Sequence, residues 1–396
     1  MSGRREVWIT GVGFISCLGE GLEANWSRLM TDQPPRAHDT EKFAPFIVHP
    51  LAPVNFDLQI PKKGDQRQME LWQRIGVYAA GLALSNAGVA GKADILDRMD
   101  MITAAGGGER DIAVDSAILS GIRTAPNPAA FLNERLLSDL RPTLFLAQLP
   151  NLLAGNISIV HGVVGSSRTF MGEEAAGVDA MRVTFERVAA GQSDISLVGS
   201  SFHGTRWDLL LVTELAGNLL KDKFAPVWDR GERGGLALAS MGAALVVESR
   251  EHAEARGAAP IARLVAIQSD RNQRKPGEIE ATIAREWAAI EPKVRRGEAV
   301  IISGASGLEP PTAAEKKALE KIGLPVRATG THIGHGFDTQ FLANLAIACE
   351  TLRQGKLFPP SGSGDQGDSP AKISQVAVTS VGNWRGEGLG LIEKAG

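Results

Sequence analysis

The stretch "SSRTFMGEEAAGVDAMRVTFERVAAGQSDISLVGSS", residues 166–201, reads as a sharp turn, an amphipathic helix and then a buried strand. The helix opens on two adjacent glutamates, Glu173 and Glu174. Unpaired N–H groups and the helix dipole favour negative charge there, so a first-turn acid supports an ordinary helix by about 0.3–1 kcal/mol. The same geometry is where an enzyme can seat a reactive anion such as a thiolate. The rest of the chain decides between these readings.

Working outward, short β-branched or aliphatic runs recur: "EVWITGVGF", "MDMITAAGGG", "NISIVHGVVG", "SDISLVGSS", "GAALVVES", "ARLVAIQS", "EAVIISGAS", "QVAVTSVG" and "GLGLIEK". Helical patterns lie between many of them, such as "LWQRIGVYAAGLALSNAG" and "TQFLANLAIACETLRQG". Strands alternating with helices predict an α/β fold whose sheet is covered on both faces. Residues 31–68 and 354–372, rich in proline, glycine and charge, read as loops. A charged, alanine-rich stretch, "REHAEARGAAP", follows "GAALVVES" and marks a seam that divides the chain into 1–249 and 250–396.

The chain has 396 residues, 43% of them hydrophobic, enough to bury a sizeable core. A net charge of −3 gives no general reason to bind nucleic acid. The start "MSGRREVWITGVGF" lacks the apolar run of a signal peptide, and the two cysteines, Cys17 and Cys349, lie in unrelated contexts. A reduced, cytoplasmic protein is expected, with no membrane span and no cofactor. His332 and His335 stand three apart in a glycine-rich loop without a completing ligand set, so no metal is expected. "GGGER" at 106–110 lacks the spacing of a phosphate loop and reads as a tight turn.

The segment around Glu174 resembles the active-site helix of the β-ketoacyl-ACP synthases, condensing enzymes of the thiolase superfamily. Glu174 lies 17 residues before Gly191 of "GQSD", the spacing at which that family places its nucleophilic cysteine. "VWITGVGFISCLGEGLEANW", "APVWDRGERGGLALASMGAALVVESREHAEARGAAP", "THIGHGFDTQFLANLAIACETLRQG" and "TSVGNWRGEGLGLIEK" resemble four further family segments in the right order. The resemblance implies a thiolase-like α/β fold, two stacked α/β halves in five layers (αβαβα), and dimerisation through the first half.

It also implies which groups are missing. Condensation in that family uses a thiolate, two histidines and an oxyanion hole of backbone N–H groups. The cysteine position is Glu174, whose carboxylate cannot form a stable thioester, and the first histidine position falls on Gly304 of "ISGASGLEPPTAAE". The second histidine is retained as His335, whereas the lysine five residues earlier falls on Gly330. Glu315 keeps an acidic position, and Trp384 takes the place of the gate phenylalanine, with Asn383 and Arg385 replacing flexible glycines. Glu174 is expected to pair with His335 and close the vacant site. Cys17 and Cys349 fall outside the matched positions and read as buried structural thiols.

Losing one member of a group of residues that act as a unit lowers rates by orders of magnitude. The expectation is therefore a ketosynthase-family subunit of fatty acid or related acyl biosynthesis that pairs with an active 3-oxoacyl-ACP synthase and shapes acyl chain length. It resembles the chain-length factors of polyketide synthases, although those place glutamine at the position of Glu174, and ketosynthase-related proteins of very-long-chain lipid A synthesis. Acyl carrier protein and a ketosynthase subunit, in a homodimer or heterodimer, are the implied partners, and the basic runs "IPKKGDQRQ", "RNQRK" and "KVRRGE" are candidate docking faces for the acidic carrier. The alternatives are an active synthase with another nucleophile, a malonyl-ACP decarboxylase, and an acyl-ACP or lipid binding protein without turnover.

Overall fold

A computed structural model describes residues 3–31 and 37–395. Its main strands are β1 (Val7–Ser16), β2 (Asp100–Ala104), β3 (Ser167–Phe170), β4 (Ile195–His203), β5 (Leu238–Ser249), β6 (Ala262–Asp270), β7 (Ala299–Ser303), β8 (Val326–Ala328), β9 (Gln375–Val381) and β10 (Glu387–Glu393). They lie side by side in the order β8-β7-β9-β10-β6-β1-β5-β4-β2-β3. Two strands of two residues, Gly19–Glu20 and Val48–His49, add to β1 and β5.

The order contains the same plan twice. In β3-β2-β4-β5-β1, β2 runs parallel to β3 and β4, while β5 is antiparallel to β4 and β1. In β8-β7-β9-β10-β6, β7 runs parallel to β8 and β9, while β10 is antiparallel to β9 and β6. Antiparallel rungs between Val7–Ile9 of β1 and Ala262–Leu264 of β6 join the two sets.

Helices cover both faces, which is why β1, β5 and β9 are buried at every position. We label the helices used below α1 (Leu71–Asn86), α2 (Leu152–His161), α3 (Glu174–Ala189), α4 (Glu278–Ile290), α5 (Pro311–Ile322) and α6 (Gln340–Gln354). α1 and α2 form an outer layer on the first set, and α4 and α5 an outer layer on the second. α3 and α6 lie between the sets: Val178, Met181 and Phe341 share one core with Ile102 and Val198 of the first set and Val300 and Val378 of the second. A helix walled on all sides is apolar nearly all round, and every described residue of α6 from Gln340 to Leu352 is buried. The five layers of the expected thiolase-like α/β fold are all present.

One expected strand is a helix. "NISIVHGVVG", residues 156–165, contributes the C-terminal part of α2, which stops at Gly162 with φ 74°. The apolar positions before it extend the pattern to helical length: Leu153, Ala154 and Ile157 face the core, while Ile159 is 68% exposed. The strand itself is the next segment, β3. β3 and β8 are the two edges of the sheet, and neither is prominent in the sequence because each is short and carries an arginine, Arg168 or Arg327. Short, charged strands are how sheet edges avoid unwanted pairing.

The expected loop at 31–68 contains the helix Lys63–Gln68 and a 3₁₀ turn, Phe56–Leu58; residues 32–36 lie outside the described residues. Residues 355–374 carry no helix or strand, as expected. No helix among the described residues is long and apolar enough to cross a membrane.

Candidate functional site

Glu174 is the first residue of α3, preceded by Glu173 and by Gly172 at φ 150°. Three residues on, a Cβ at Gly177 would run into the carbonyl oxygen of Asp338, so the glycine lets α3 approach the segment after His335. His335 is itself fixed by its backbone: its N–H donates to Ala237 O at 2.8 Å, and its carbonyl accepts from Ala239 N–H at 3.0 Å.

These two supports bring the side chains together. His335 Nε2 lies 2.9 Å from Glu174 Oε1, with the residues 2% and 1% exposed. Oε1 also accepts from Asn383 Nδ2 at 2.7 Å. Asn383 Oδ1 in turn accepts from Ser306 Oγ at 3.0 Å. The residue read from sequence as a replacement for a flexible glycine thus ties the loop after β7 to the head of α3. Glu174 Oε2 and His335 Nδ1 are buried without a hydrogen-bond partner.

Gly304 and Gly330 are tightly enclosed. A Cβ on Gly304 would stand 2.6 Å from the carbonyl oxygen of Thr379 in β9 and 3.2 Å from Asn344 Nδ2. A Cβ on Gly330 would stand 2.6 Å from Ala305 O. Glu315 lies beneath this region, accepting from Ser303 Oγ at 2.8 Å and Thr379 Oγ1 at 2.5 Å; burial raises its carboxyl above the ordinary range despite these bonds. It clasps β7 to β9.

Trp384, 48% exposed, stacks on Phe337 with ring centres 6.1 Å apart and planes 11° from parallel. Phe337 meets the His335 ring edge-on at 4.9 Å and Phe202 at 5.3 Å. It is held at φ 42°, a conformation that a bulky side chain adopts only when its surroundings impose it. Trp384, Phe337, Phe202, Trp72 and Leu209 wall a cavity of about 320 Å³, with Glu173 and Asp338 at its rim and floor.

Two polar features here escape sequence reading. Asp338, 1% exposed, lies three residues after His335, and burial followed by the charge of Glu174 pushes its carboxyl well above the usual range. The "GGGER" turn places Glu109 so that its Oε1 accepts from Trp72 N–H at 3.1 Å and pairs with His203 Nδ1 at 2.8 Å. Only the strand-end position of 106–110 hints at that role.

The cysteines are elsewhere. Cys17 Sγ donates to His332 O at 3.3 Å and lies 3.6 Å from His49 Nδ1, and Cys349 is enclosed in α6. Burial pushes both thiols up to about 12. Among the described residues, no group of three or more His, Cys, Asp or Glu is arranged to hold a metal ion. None of the side chains of Glu174, His335 and Asp338 is a nucleophile that forms stable thioesters.

Residues 4–253 match the family model for the beta-ketoacyl synthase N-terminal domain. The 3-oxoacyl-[acyl-carrier-protein] synthase 2 of Vibrio cholerae serotype O1 is 24% identical over 272 residues, covering 66% of this chain and 62% of that protein. The chain thus spans less than two thirds of the length of that relative. A beta-ketoacyl synthase from Burkholderia phymatum superposes with a TM-score of 0.82 at 18% identity, covering 99% of this chain and 100% of the other. The ishigamide ketosynthase/chain length factor superposes with a TM-score of 0.81 at 19% identity, with 100% of each chain covered. With the family model spanning well over half of its residues, the chain belongs to the beta-ketoacyl synthase family.

Proposed function

We propose that this protein is a catalytically impaired ketosynthase-family subunit of fatty acid or related acyl synthesis, which pairs with an active 3-oxoacyl-ACP synthase and shapes the acyl product. The observation that carries this reading is the carboxylate of Glu174 at the head of α3, engaged by His335 and Asn383 where a condensing enzyme needs a free thiolate. Gly304 supplies no second imidazole. We read the chain as two halves, 1–249 and 250–396, each contributing one of the repeated strand sets.

The surface supports a partner. β3 ends the sheet with one side unpaired, flanked by exposed Val164 and Met171. Ile159 of α2, which packs on β3, exposes further apolar surface. Exposed apolar residues beside the strand suit contact with another subunit. The reading as an independently active synthase gains no comparable support, because Cys17 is engaged with His332 O and burial pushes both thiols up to about 12.

The deciding experiment is condensation of an acyl-ACP with malonyl-ACP by the purified protein, alone and mixed with ketosynthases from the same cell. The expected result is no product alone, and an altered product length or rate with one specific partner. Product from the protein alone, after rigorous removal of contaminating ketosynthase, overturns the proposal.

A further inference from the structure

Glu109 and His203 form a second acid–imidazole pair, separate from that of Glu174 and His335. Glu109 lies in the turn after β2, and its Oε1 accepts from Trp72 N–H at 3.1 Å in the first turn of α1. A helix N-terminus favours the ionised form of such an acid. Burial opposes ionisation, but the hydrogen bond and charge of His203 hold the carboxyl below its ordinary range. A carboxylate can only accept, so the proton between Oε1 and His203 Nδ1, 2.8 Å apart, belongs to Nδ1. The contact with α1 accounts for Glu109. It does not account for an imidazole.

His203 is the last residue of β4 and lines the 320 Å³ cavity. Nδ1 is committed to Glu109. Nε2, across the ring, makes no hydrogen bond within the protein and stays open to a water-sized probe. An imidazole nitrogen left free while a carboxylate orients the ring has the arrangement of a general base. Gly107, exposed on the same cavity wall, has an N–H with no acceptor in the protein and no atom within 4 Å of an added Cβ, so a carbonyl oxygen can approach it. A base and a donor together suit attack of water on a carbonyl. What this wall lacks is an acid for the leaving group: Glu109 is ionised, Arg206 does not give up its proton, and both oxygens of Asp338 are sealed. The leaving group must depart as an anion, which a thiol of pKa about 8.5 does readily and an alcohol or amine does not.

We propose that His203, oriented by Glu109, is the general base of a thioester hydrolase. The oxygen of a water molecule bonds to the carbonyl carbon as one of its protons passes to Nε2. The C–S bond then breaks with its electron pair on sulfur, and Nε2 returns the proton to the thiolate, giving a carboxylic acid and a thiol. Water is the only other reactant. His203 is the catalytic residue, and Glu109 is a positioning residue that keeps the proton on Nδ1. The inference goes beyond the subunit reading, which places carbon–carbon bond formation in a partner, and it draws on neither Glu174 nor His335.

The test is hydrolysis of the hexanoyl thioester of N-acetylcysteamine by the full-length protein, with the released thiol read by a colorimetric disulfide, alongside ethyl hexanoate and hexanamide followed as released acid. The thioester should be turned over with saturation kinetics and the other two left intact. His203→Gln should lower kcat by about 100-fold or more. Glu109→Gln should lower kcat by about tenfold or more with KM unchanged, because an amide can donate to Nδ1 and turn the ring proton to Nε2. Added imidazole should restore part of the rate to His203→Gly and none to Glu109→Gln. No saturable turnover of the thioester, equal turnover of ester and amide, an unchanged kcat in His203→Gln, or an effect of Glu109→Gln on KM alone overturns the proposal. Substrate selectivity of the unmodified protein decides the matter even if the variants do not fold. No partner, malonyl group or condensation enters these measurements, so failure here is separable from failure of the subunit reading.

Discussion

His335 Nε2 and Asn383 Nδ2 converge on one oxygen of Glu174, at 2.9 and 2.7 Å, inside the protein. Removing that oxygen leaves the buried His335 ring nitrogen and the half-buried Asn383 amide without their shared partner. Glu174→Ala is therefore expected to lower unfolding free energy by about 1–3 kcal/mol. Glu174→Gln keeps an acceptor in place and should lose no more than about half as much. Urea unfolding of the three proteins checks this, and equal losses for both variants would show that the shared oxygen does not matter.

Introducing the missing nucleophile should separate reactivity from turnover. In Glu174→Cys the thiol would start α3 beside His335, an arrangement that favours the thiolate. The variant should be alkylated by iodoacetamide much faster than the unmodified protein, whose two cysteines are buried. Condensation alone should stay orders of magnitude below that of an active synthase, because Gly304 still lacks an imidazole. Turnover near that of an active enzyme would refute the assignment of residue 304.

Gly304→Ala is a small change with a large expected effect. The methyl group would press on the Thr379 carbonyl, and β9 is paired on both sides, with β7 and β10. Overpacking of this kind destabilises by about 1–3 kcal/mol. Thermal melts should show the loss, whereas alanine at exposed Gly297, with nothing within 4 Å of its added Cβ, should leave the melt close to that of the unmodified protein.

Glu286 of α4 gives the protein a pH dependence far from the site. Burial, then the charges of Glu387 and Asp270, push its carboxyl up to about 8, with Arg285 opposing. The folded state keeps this proton while the unfolded chain releases it near 4.5, so the unfolded state binds fewer protons and stability falls as pH rises through that interval. Glu286→Gln should be increasingly stabilised relative to the unmodified protein between pH 5 and pH 8, by on the order of a few kcal/mol at the top. Urea midpoints across that range test it; a difference independent of pH would mean that Glu286 is ionised throughout.

Legibility in the sequence followed the length and privacy of each signal. Long apolar strands such as β5, and helices such as α6 with its glycine stop, declare themselves within one segment. β3 and β8 do not, because an edge strand of three or four residues with a central arginine has almost no period to detect, and the β-branched run before β3 draws attention to α2 instead. The meeting of Glu174 and His335 was foreseeable because each sits in a recognisable segment. Asp338 was not: its burial arises only where α3 closes in at Gly177. Glu109 and His203 are 94 positions apart, and no local pattern links them.

Backbone now stands where two side chains of a condensing enzyme would begin. With residue 304 read as the place of the family's imidazole and residue 330 as that of its lysine, the carbonyls of Thr379 and Ala305 each stand 2.6 Å from where the first side-chain atom would be. On the proposed reading, placing a side chain at either position would need main-chain retreat first, and each single step would pass through a less stable protein. On that reading the fold acts as a ratchet, in which a step to glycine at either position is easy and the step back is steep.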